Sequence, residues 1–121
     1  MIALDHHIVP SRQRDASARW LTRILGLPAP RVEGPFAAVD LGERTSLFFA
    51  GWDEEVVAQH YAFAVDAVDF ERILERIGAA GLEHWAEPDL SQPGSVRRDA
   101  TGSGVYFRSP EGHLLEVLTH R

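Results

Sequence analysis

Two histidines, His6 and His60, and one glutamate, Glu116, are the side chains in this sequence best suited to bind a metal ion. Each histidine opens a strand-like run, and Glu116 interrupts an apolar run near the C-terminus. Burying an unpaired carboxylate is costly, and a cation would supply the missing partner. Two imidazoles and one carboxylate also leave coordination positions open for water and for a substrate that chelates through two oxygens. Taken singly, each residue has an ordinary alternative: a hydrogen-bonded core histidine or a solvent-facing glutamate.

The two histidines occupy matching positions in a repeated pattern. His6 and His60 are 54 residues apart, and so are Asp15 and Asp69. A strand and then an amphipathic stretch follow each histidine, which indicates a duplicated unit, with coincidence as the alternative because the two halves share little identity. Side chains alternate across a strand. The repeat therefore selects His6 rather than His7 as the partner of His60, and we expect His7 to point away from the site.

Hydrophobic periodicity predicts the elements that position these residues. The predicted helices are residues 12–25 and 68–80, and the predicted strands are residues 2–10, 36–41, 45–50, 59–65, 82–86, 104–108 and 113–119. Gly26 is the expected stop of the first helix, and Asp66 is the expected N-cap of the second. The segments 28–35 and 87–103 are rich in proline and glycine or in polar residues, and we expect irregular loops there.

Composition excludes several classes of protein. A length of 121 residues with 45% hydrophobic residues suits one compact domain. A net charge of −6, without a basic run longer than Arg97-Arg98, is unfavourable for binding nucleic acid. The absence of cysteine excludes thiolate ligands. Neither a signal peptide nor a membrane span is indicated, so we expect a cytoplasmic protein that binds neither nucleic acid nor membranes.

Three segments together resemble the vicinal oxygen chelate superfamily, which includes glyoxalase I, extradiol dioxygenases, and fosfomycin- and bleomycin-resistance proteins. These segments are Leu4-Asp5-His6, the run from His60 to Val65, and the run from Tyr106 to Glu116. The resemblance covers nearly the whole chain. It implies an α+β fold in which two βαβββ modules, about 1–55 and 56–121, make one domain and pair into a curled mixed sheet that forms a metal-binding cup.

The same resemblance implies roles for individual residues. His6, His60 and Glu116 fall on metal-ligand positions for a divalent ion, whose identity stays open among Fe, Mn, Zn, Ni and Co. Tyr106 falls where several members place a tyrosine beside the metal. Its phenol would donate a hydrogen bond to a developing oxyanion or act as an acid or base, and a packed aromatic is the alternative. Tyr106 and Glu116 are thus the candidate catalytic residues.

Departures from the family patterns restrict the activity. The strand 46–50 carries no further Glu or Gln ligand, which argues against glyoxalase I and methylmalonyl epimerase activities. Ile8 stands where fosfomycin-modifying relatives usually have a hydroxyl residue. Ring-cleaving dioxygenases usually place another histidine near the metal, and His84 and His113 are the available candidates.

Two classes of function follow. One is a metal-dependent lyase, isomerase or dioxygenase that binds a small substrate through two oxygens and stabilises an anionic intermediate. The other is a non-catalytic drug- or metabolite-binding protein of the bleomycin-resistance type, and the complete triad favours the enzyme. Arg97 and Arg98 would capture an anionic substrate in one interpretation, but a solvated loop is the preferred one. We also expect a homodimer, since single-domain relatives are commonly dimers and pairing would cover edge strands and apolar surface.

Overall fold

The computed structural model describes residues 1–120, which divide into two compact units. The first unit is Met1–Val57, and the second unit begins at Ala58. A module boundary near residue 55 was the expectation from sequence. That the two units make a single domain stays a prediction.

The first unit is one βαβββ module. Its elements are β1 (His6–Ser11), α1 (Arg14–Leu25), β2 (Arg31–Glu33), β3 (Phe36–Asp40) and β4 (Ser46–Gly51). The sheet has the order β1-β4-β3-β2, in which β1 runs parallel to β4 and the other pairs are antiparallel. A parallel pair needs a long crossover, and α1 with the β2–β3 hairpin provides it.

Helix α1 covers one face of this sheet. It ends where Gly26 adopts a left-handed conformation with φ of 72°, as predicted. The hydroxyl of Ser11 on β1 donates a hydrogen bond of 3.0 Å to the hydroxyl of Ser17 on α1, which identifies the covered face. The apolar core residues of this unit are Val9, Ala18, Leu21, Ile24, Ala37, Ala38, Val39, Leu47 and Phe49. His6 lies on the opposite face, since it is an odd number of positions from Ser11 along β1.

The second unit repeats this plan with one strand divided in two. Its elements are β5 (His60–Ala64), α2 (Ala67–Ala79), β6 (His84–Trp85), β7 (Arg97–Asp99), β8 (Gly102–Arg108) and β9 (Leu114–Leu118). The sheet order is β5-β9-β8-β6, and β5 runs parallel to β9. Both β6 and β7 pair antiparallel with β8, so together they take the place of the module's second strand.

Helix α2 begins at its predicted cap and covers one face of the second sheet. The carboxylate of Asp66 accepts a hydrogen bond of 2.8 Å from the Asp69 amide. Arg98 on β7 lies over the Phe70 ring of α2 at 5.7 Å and forms an ion pair with Glu71 at 2.8 Å, which identifies the helix-covered face. The buried apolar residues of this unit include Phe70, Ile73, Ile77, Val105, Phe107, Leu115 and Val117.

The predicted α+β class with two βαβββ modules is confirmed, with two corrections to the elements. Strands β2 and β7 lie inside segments 28–35 and 87–103, which were expected to be loops. Each is only three residues long, carries charged residues and is defined by its pairing with a neighbouring strand. Local periodicity does not reveal such strands. Within residues 1–120, no helix is long and apolar enough to cross a membrane.

Gly102, at the start of β8, has a backbone conformation and surroundings that leave no room for a side chain. Its φ is +135°, and a Cβ there would lie 2.1 Å from the carbonyl oxygen of Thr119. We expect Gly102→Ala to lower the free energy of unfolding by more than about 2 kcal/mol, because backbone strain and a backbone clash act together. Urea denaturation measures the change. The control is Gly42→Ala, where no atom lies within 4 Å of the added Cβ; equal effects of the two substitutions would contradict the prediction.

Asp99, the last residue of β7, has a lowered pKa that makes stability depend on pH. Hydrogen bonds from the Thr101 hydroxyl and amide, and then from Arg97, lower the pKa of Asp99 from 3.8 to about 2. A carboxyl with a lower pKa in the folded state stabilises the protein above its unfolded pKa, and this contribution is lost as pH falls through the folded pKa. We expect Asp99→Asn to be less stable than the parent at pH 7 and the difference to shrink between about pH 4 and pH 2. Urea unfolding midpoints of both proteins, measured across this pH range, test the prediction. A stability difference between them that does not change with pH would contradict it.

Candidate functional site

Strand pairing in the second unit brings His60, Glu116 and Tyr106 onto one face of the sheet. Ala62 on β5 and Tyr106 on β8 both pair with Glu116 on β9, and His60 is two residues before Ala62. Directly paired residues project from the same side of a sheet, as do residues two apart along a strand. This face, opposite the one covered by α2, is called the site face of the second unit. Trp85 also belongs to it, because it pairs with Tyr106.

His60 and Glu116 are in direct contact. The Nε2 atom of His60 lies 3.2 Å from Oε1 of Glu116, and its Nδ1 atom lies 3.0 Å from the carbonyl oxygen of Leu114. Because a carbonyl only accepts hydrogen bonds, Nδ1 carries the proton. In a neutral imidazole, the Nε2 lone pair then faces a carboxylate oxygen, and two acceptors at this distance repel. A proton or a shared metal ion between them removes the repulsion.

The donor atoms of this pair fit a divalent metal ion. Bonds of about 2.1 Å place two ligand atoms about 3.0 Å apart in octahedral geometry and about 3.4 Å apart in tetrahedral geometry. The observed 3.2 Å lies between these values. A backbone carbonyl that accepts the Nδ1 proton is the usual support of a metal-bound imidazole. Taken alone, neither unit gathers three His, Asp or Glu side chains around one point in the part of the chain that the structure describes.

His6 has a comparable environment in the first unit. Its Nδ1 atom lies 2.7 Å from a carboxylate oxygen of Asp5, and its ring stacks on Phe48 with 4.5 Å between the ring centroids. The carboxylate orients the ring and leaves Nε2 as the nitrogen that could bind a metal. His7 pairs with Leu47, whose side chain is buried on the face covered by α1, so His6 and His7 belong to opposite faces. That His6 joins His60 and Glu116 in one metal site stays a prediction.

Matching the two sheets identifies the residues of the first unit that correspond to Glu116 and Tyr106. Phe48 pairs with the residue two after His6, as Glu116 pairs with the residue two after His60. Ala38 pairs with Phe48, as Tyr106 pairs with Glu116. The first unit thus carries an aromatic ring and a methyl group where the second carries a carboxylate and a phenol. A carboxylate ligand from the first unit, matching Glu116 of the second, would have to stand at position 48, where this chain has phenylalanine.

Tyr106 is an interior phenol in contact with the proposed ligand Glu116. Its side chain is buried, and its ring lies 6.2 Å from that of His60. Burial raises the pKa of Tyr106, and the charge of Glu116 and a hydrogen bond to it raise the pKa further. The phenol therefore keeps its proton at neutral pH and acts as a hydrogen-bond donor.

The two further histidines considered from the sequence lie away from this face. His84 pairs with Phe107, a core residue on the face covered by α2. His113 is buried, and its Nδ1 atom accepts a hydrogen bond of 2.9 Å from the amide of Gln59, the residue before His60. His113 therefore anchors the start of β5, and through it the backbone that carries His60. The sequence offered no signal for this role.

Comparisons with known proteins agree with this architecture. The chain is 45% identical to the solved structure of Oxidase ChaP-H1, with a TM-score of 0.96 over 100% of this chain and 98% of that one. Metallothiol transferase FosB from Shouchella clausii (strain KSM-K16) is 33% identical over 98 residues, which are 69% of this chain and 62% of that protein. Fosfomycin resistance protein FosX from Mesorhizobium japonicum (strain LMG 29417 / CECT 9101 / MAFF 303099) is 33% identical over 60 residues, which are 50% of this chain and 38% of that protein.

The chain thus spans less than two thirds of the length of these two curated relatives. A family model, by contrast, matches nearly all of it, from residue 3 to residue 117. The resemblance inferred from three short segments is confirmed, and the chain belongs to the Glyoxalase/Bleomycin resistance protein/Dioxygenase superfamily.

Proposed function

We propose that this protein is a metal-dependent enzyme of the oxidase or dioxygenase type that acts on a small substrate. A divalent metal bound by His6, His60 and Glu116 would hold the substrate through two oxygens. The observation that carries the proposal is the His60–Glu116 pair at 3.2 Å, whose histidine is oriented by a backbone carbonyl. The similarity to Oxidase ChaP-H1 along the whole chain favours oxidation over lyase or isomerase chemistry.

The surrounding residues would prepare the site for an anionic intermediate. Asp5 and the Leu114 carbonyl orient the two imidazoles. The hydroxyl of Tyr106 would turn from Glu116 and donate its hydrogen bond to a substrate oxygen that gains negative charge. Phe48 offers an apolar wall to an aromatic or aliphatic part of the substrate. When bound, the metal supplies Lewis-acid stabilisation of that oxygen and, for a redox-active ion, electrons for dioxygen. Its identity stays open among Fe, Mn, Zn, Ni and Co.

Metal content tests the three proposed ligands. We expect His6→Ala, His60→Ala and Glu116→Ala each to lose most of the bound metal after reconstitution and dialysis, because each removes one of three protein donors. Elemental analysis gives the stoichiometry. His7→Ala is the matched control, since His7 belongs to the opposite face of the same strand, and it should bind as much metal as the parent. Equal loss in the His6 and His7 variants would refute the site.

Turnover tests the proposed enzymatic role. Metal-loaded protein should consume dioxygen with at least one member of a panel of catechols and enediols, measured with an oxygen electrode. We expect Tyr106→Phe to retain the metal but to react about 10²- to 10⁴-fold more slowly, because the hydrogen bond to the developing anion is lost. Unchanged turnover in Tyr106→Phe would leave this residue with a packing role only.

A non-catalytic drug- or metabolite-binding protein of the bleomycin-resistance type is the second candidate, and the match to a family that includes bleomycin resistance proteins is the observation that favours it. The similarity to FosX and FosB does not favour it over an enzyme, since FosB is a metallothiol transferase. Ile8 argues against phosphonate binding in the manner of those proteins, because it offers no hydroxyl group. The two candidates separate experimentally. A metal-loaded protein that consumes no dioxygen with any panel member, but binds bleomycin in a calorimeter, would support the second.

We also propose that the protein is a homodimer. Val32 on the edge strand β2 is 86% exposed and Trp52 is 42% exposed, and these apolar side chains are candidates for a contact with a second copy. Light scattering of a dilute solution should give about twice the monomer mass of 13.5 kDa. A monomer mass with the metal still bound would refute the dimer and leave the metal site standing.

A further inference from the structure

We propose that Arg97 recognises an anionic group of the substrate, and that Asp99, Thr101 and Gly104 hold its guanidinium in place for this task. The inference rests on the proposed function, because it assigns a substrate class to the same site face. That class is a small chelating molecule that also carries a carboxylate or phosphate group away from its chelating oxygens.

Adjacent arginines on β7 have different environments. Arg97 pairs with Gly104 on β8, two residues from Tyr106, and therefore belongs to the site face. Arg98 belongs to the opposite face, where it pairs with Glu71 of helix α2 and lies over the Phe70 ring. Through these contacts, Arg98 attaches β7 to helix α2. Arg97 is left on the face that carries the proposed chemistry.

The absence of a side chain at Gly104 leaves room for the Arg97 guanidinium. A Cβ at position 104 would lie 2.6 Å from Nη2 of Arg97 and 3.2 Å from both Cζ and Nε. The guanidinium therefore occupies the space that a side chain at position 104 would need, and only 22% of the Arg97 side chain is exposed. A larger residue at position 104 would have to displace the guanidinium.

Asp99 at the end of β7 and Thr101 in the turn after it bind the Nη1 atom of the guanidinium and not its Nε and Nη2 atoms. Nη1 donates to the carboxylate of Asp99 at 3.2 Å and to the Thr101 hydroxyl at 3.0 Å. Nε and Nη2 donate no hydrogen bond to any other described residue of the second unit. This edge is the two-pronged donor that binds carboxylate or phosphate through parallel hydrogen bonds. Because the side chain is already held, binding an anion would cost little further conformational entropy.

Position on the sheet connects Arg97 to the proposed metal ligands. Gly104 is one strand across from Glu116 and two residues along, so about 8 Å separates their Cα atoms by ordinary sheet spacing. Arg97 pairs with Gly104, and Tyr106 lies two residues further along the same strand and on the same face. A single aromatic ring can span this separation, with chelating oxygens at one end and an anionic group at the other.

A matched pair of probes tests the inference on metal-loaded protein. Catechol offers two adjacent oxygens, and 3,4-dihydroxybenzoate adds a carboxylate on the far side of the ring. We expect the parent protein to bind the acid at least about tenfold more tightly, as for a charge-assisted hydrogen bond. Arg97→Gln should reduce this ratio to about one, Arg97→Lys should give an intermediate ratio, and Arg98→Gln should keep the parent ratio. The same ratio in Arg97→Gln and the parent would overturn the inference.

A second measurement does not depend on the metal. Inorganic phosphate is titrated into metal-free, ¹⁵N-labelled protein, and the Nε–H signal of Arg97 is followed after assignment by its loss in Arg97→Gln. We expect a saturable shift for Arg97 and none for Arg98. If no variant binds catechol in a metal-dependent way but the Arg97 shift remains, the metal centre is refuted and the anion site stands. If phosphate does not shift Arg97, the anion site is refuted whatever the metal does.

Discussion

The parallel pairing of β5 with β9 is the contact on which the candidate site depends. It joins residues more than fifty positions apart in the chain and places His60 beside Glu116. The carbonyl of Leu114 on β9 also accepts the Nδ1 proton of His60, so the strand that supplies the carboxylate also orients the imidazole. A register slip of one residue would turn Glu116 into the core. The apolar neighbours Leu115 and Val117, which are buried on the other face, oppose such a slip.

The two units share one architecture but differ in chemistry. Each opens with a strand that begins with histidine and runs parallel to the last strand of its unit. In the second unit, the remaining site-face positions carry a carboxylate and a phenol, whereas Phe48 and Ala38 hold the corresponding positions in the first. Because strand pairing is satisfied by the backbone, these side chains can differ while the fold is kept. The asymmetry places the carboxylate and the phenol in one unit and an aromatic ring and a methyl group in the other.

Alternation along a strand also separates two arginines that are adjacent in the sequence. Arg98 contributes an ion pair and a ring contact to the attachment of helix α2, and exposed pairs of this kind stabilise a fold only modestly. Arg97 donates a hydrogen bond to Asp99, two residues further along the chain, and its guanidinium occupies the space that a side chain at position 104 would need. An ordered guanidinium beside a strand is suited to recognition, whereas a mobile one would first have to be ordered.

Local interactions made much of this protein predictable from its sequence. The helices were predictable because apolar spacing, the Asp66 cap and the Gly26 stop act within a few residues. Alternation alone separated His6 from His7, and the interrupted apolar run singled out Glu116. Strands β2 and β7 were missed, and the different faces of Arg97 and Arg98 and the role of His113 were not foreseen. Each of these depends on a partner strand or on a contact distant in the sequence, and periodicity contains no information about which strands pair. The residue types and their alternation therefore determined the candidate ligands, and only the tertiary register decided which of them meet.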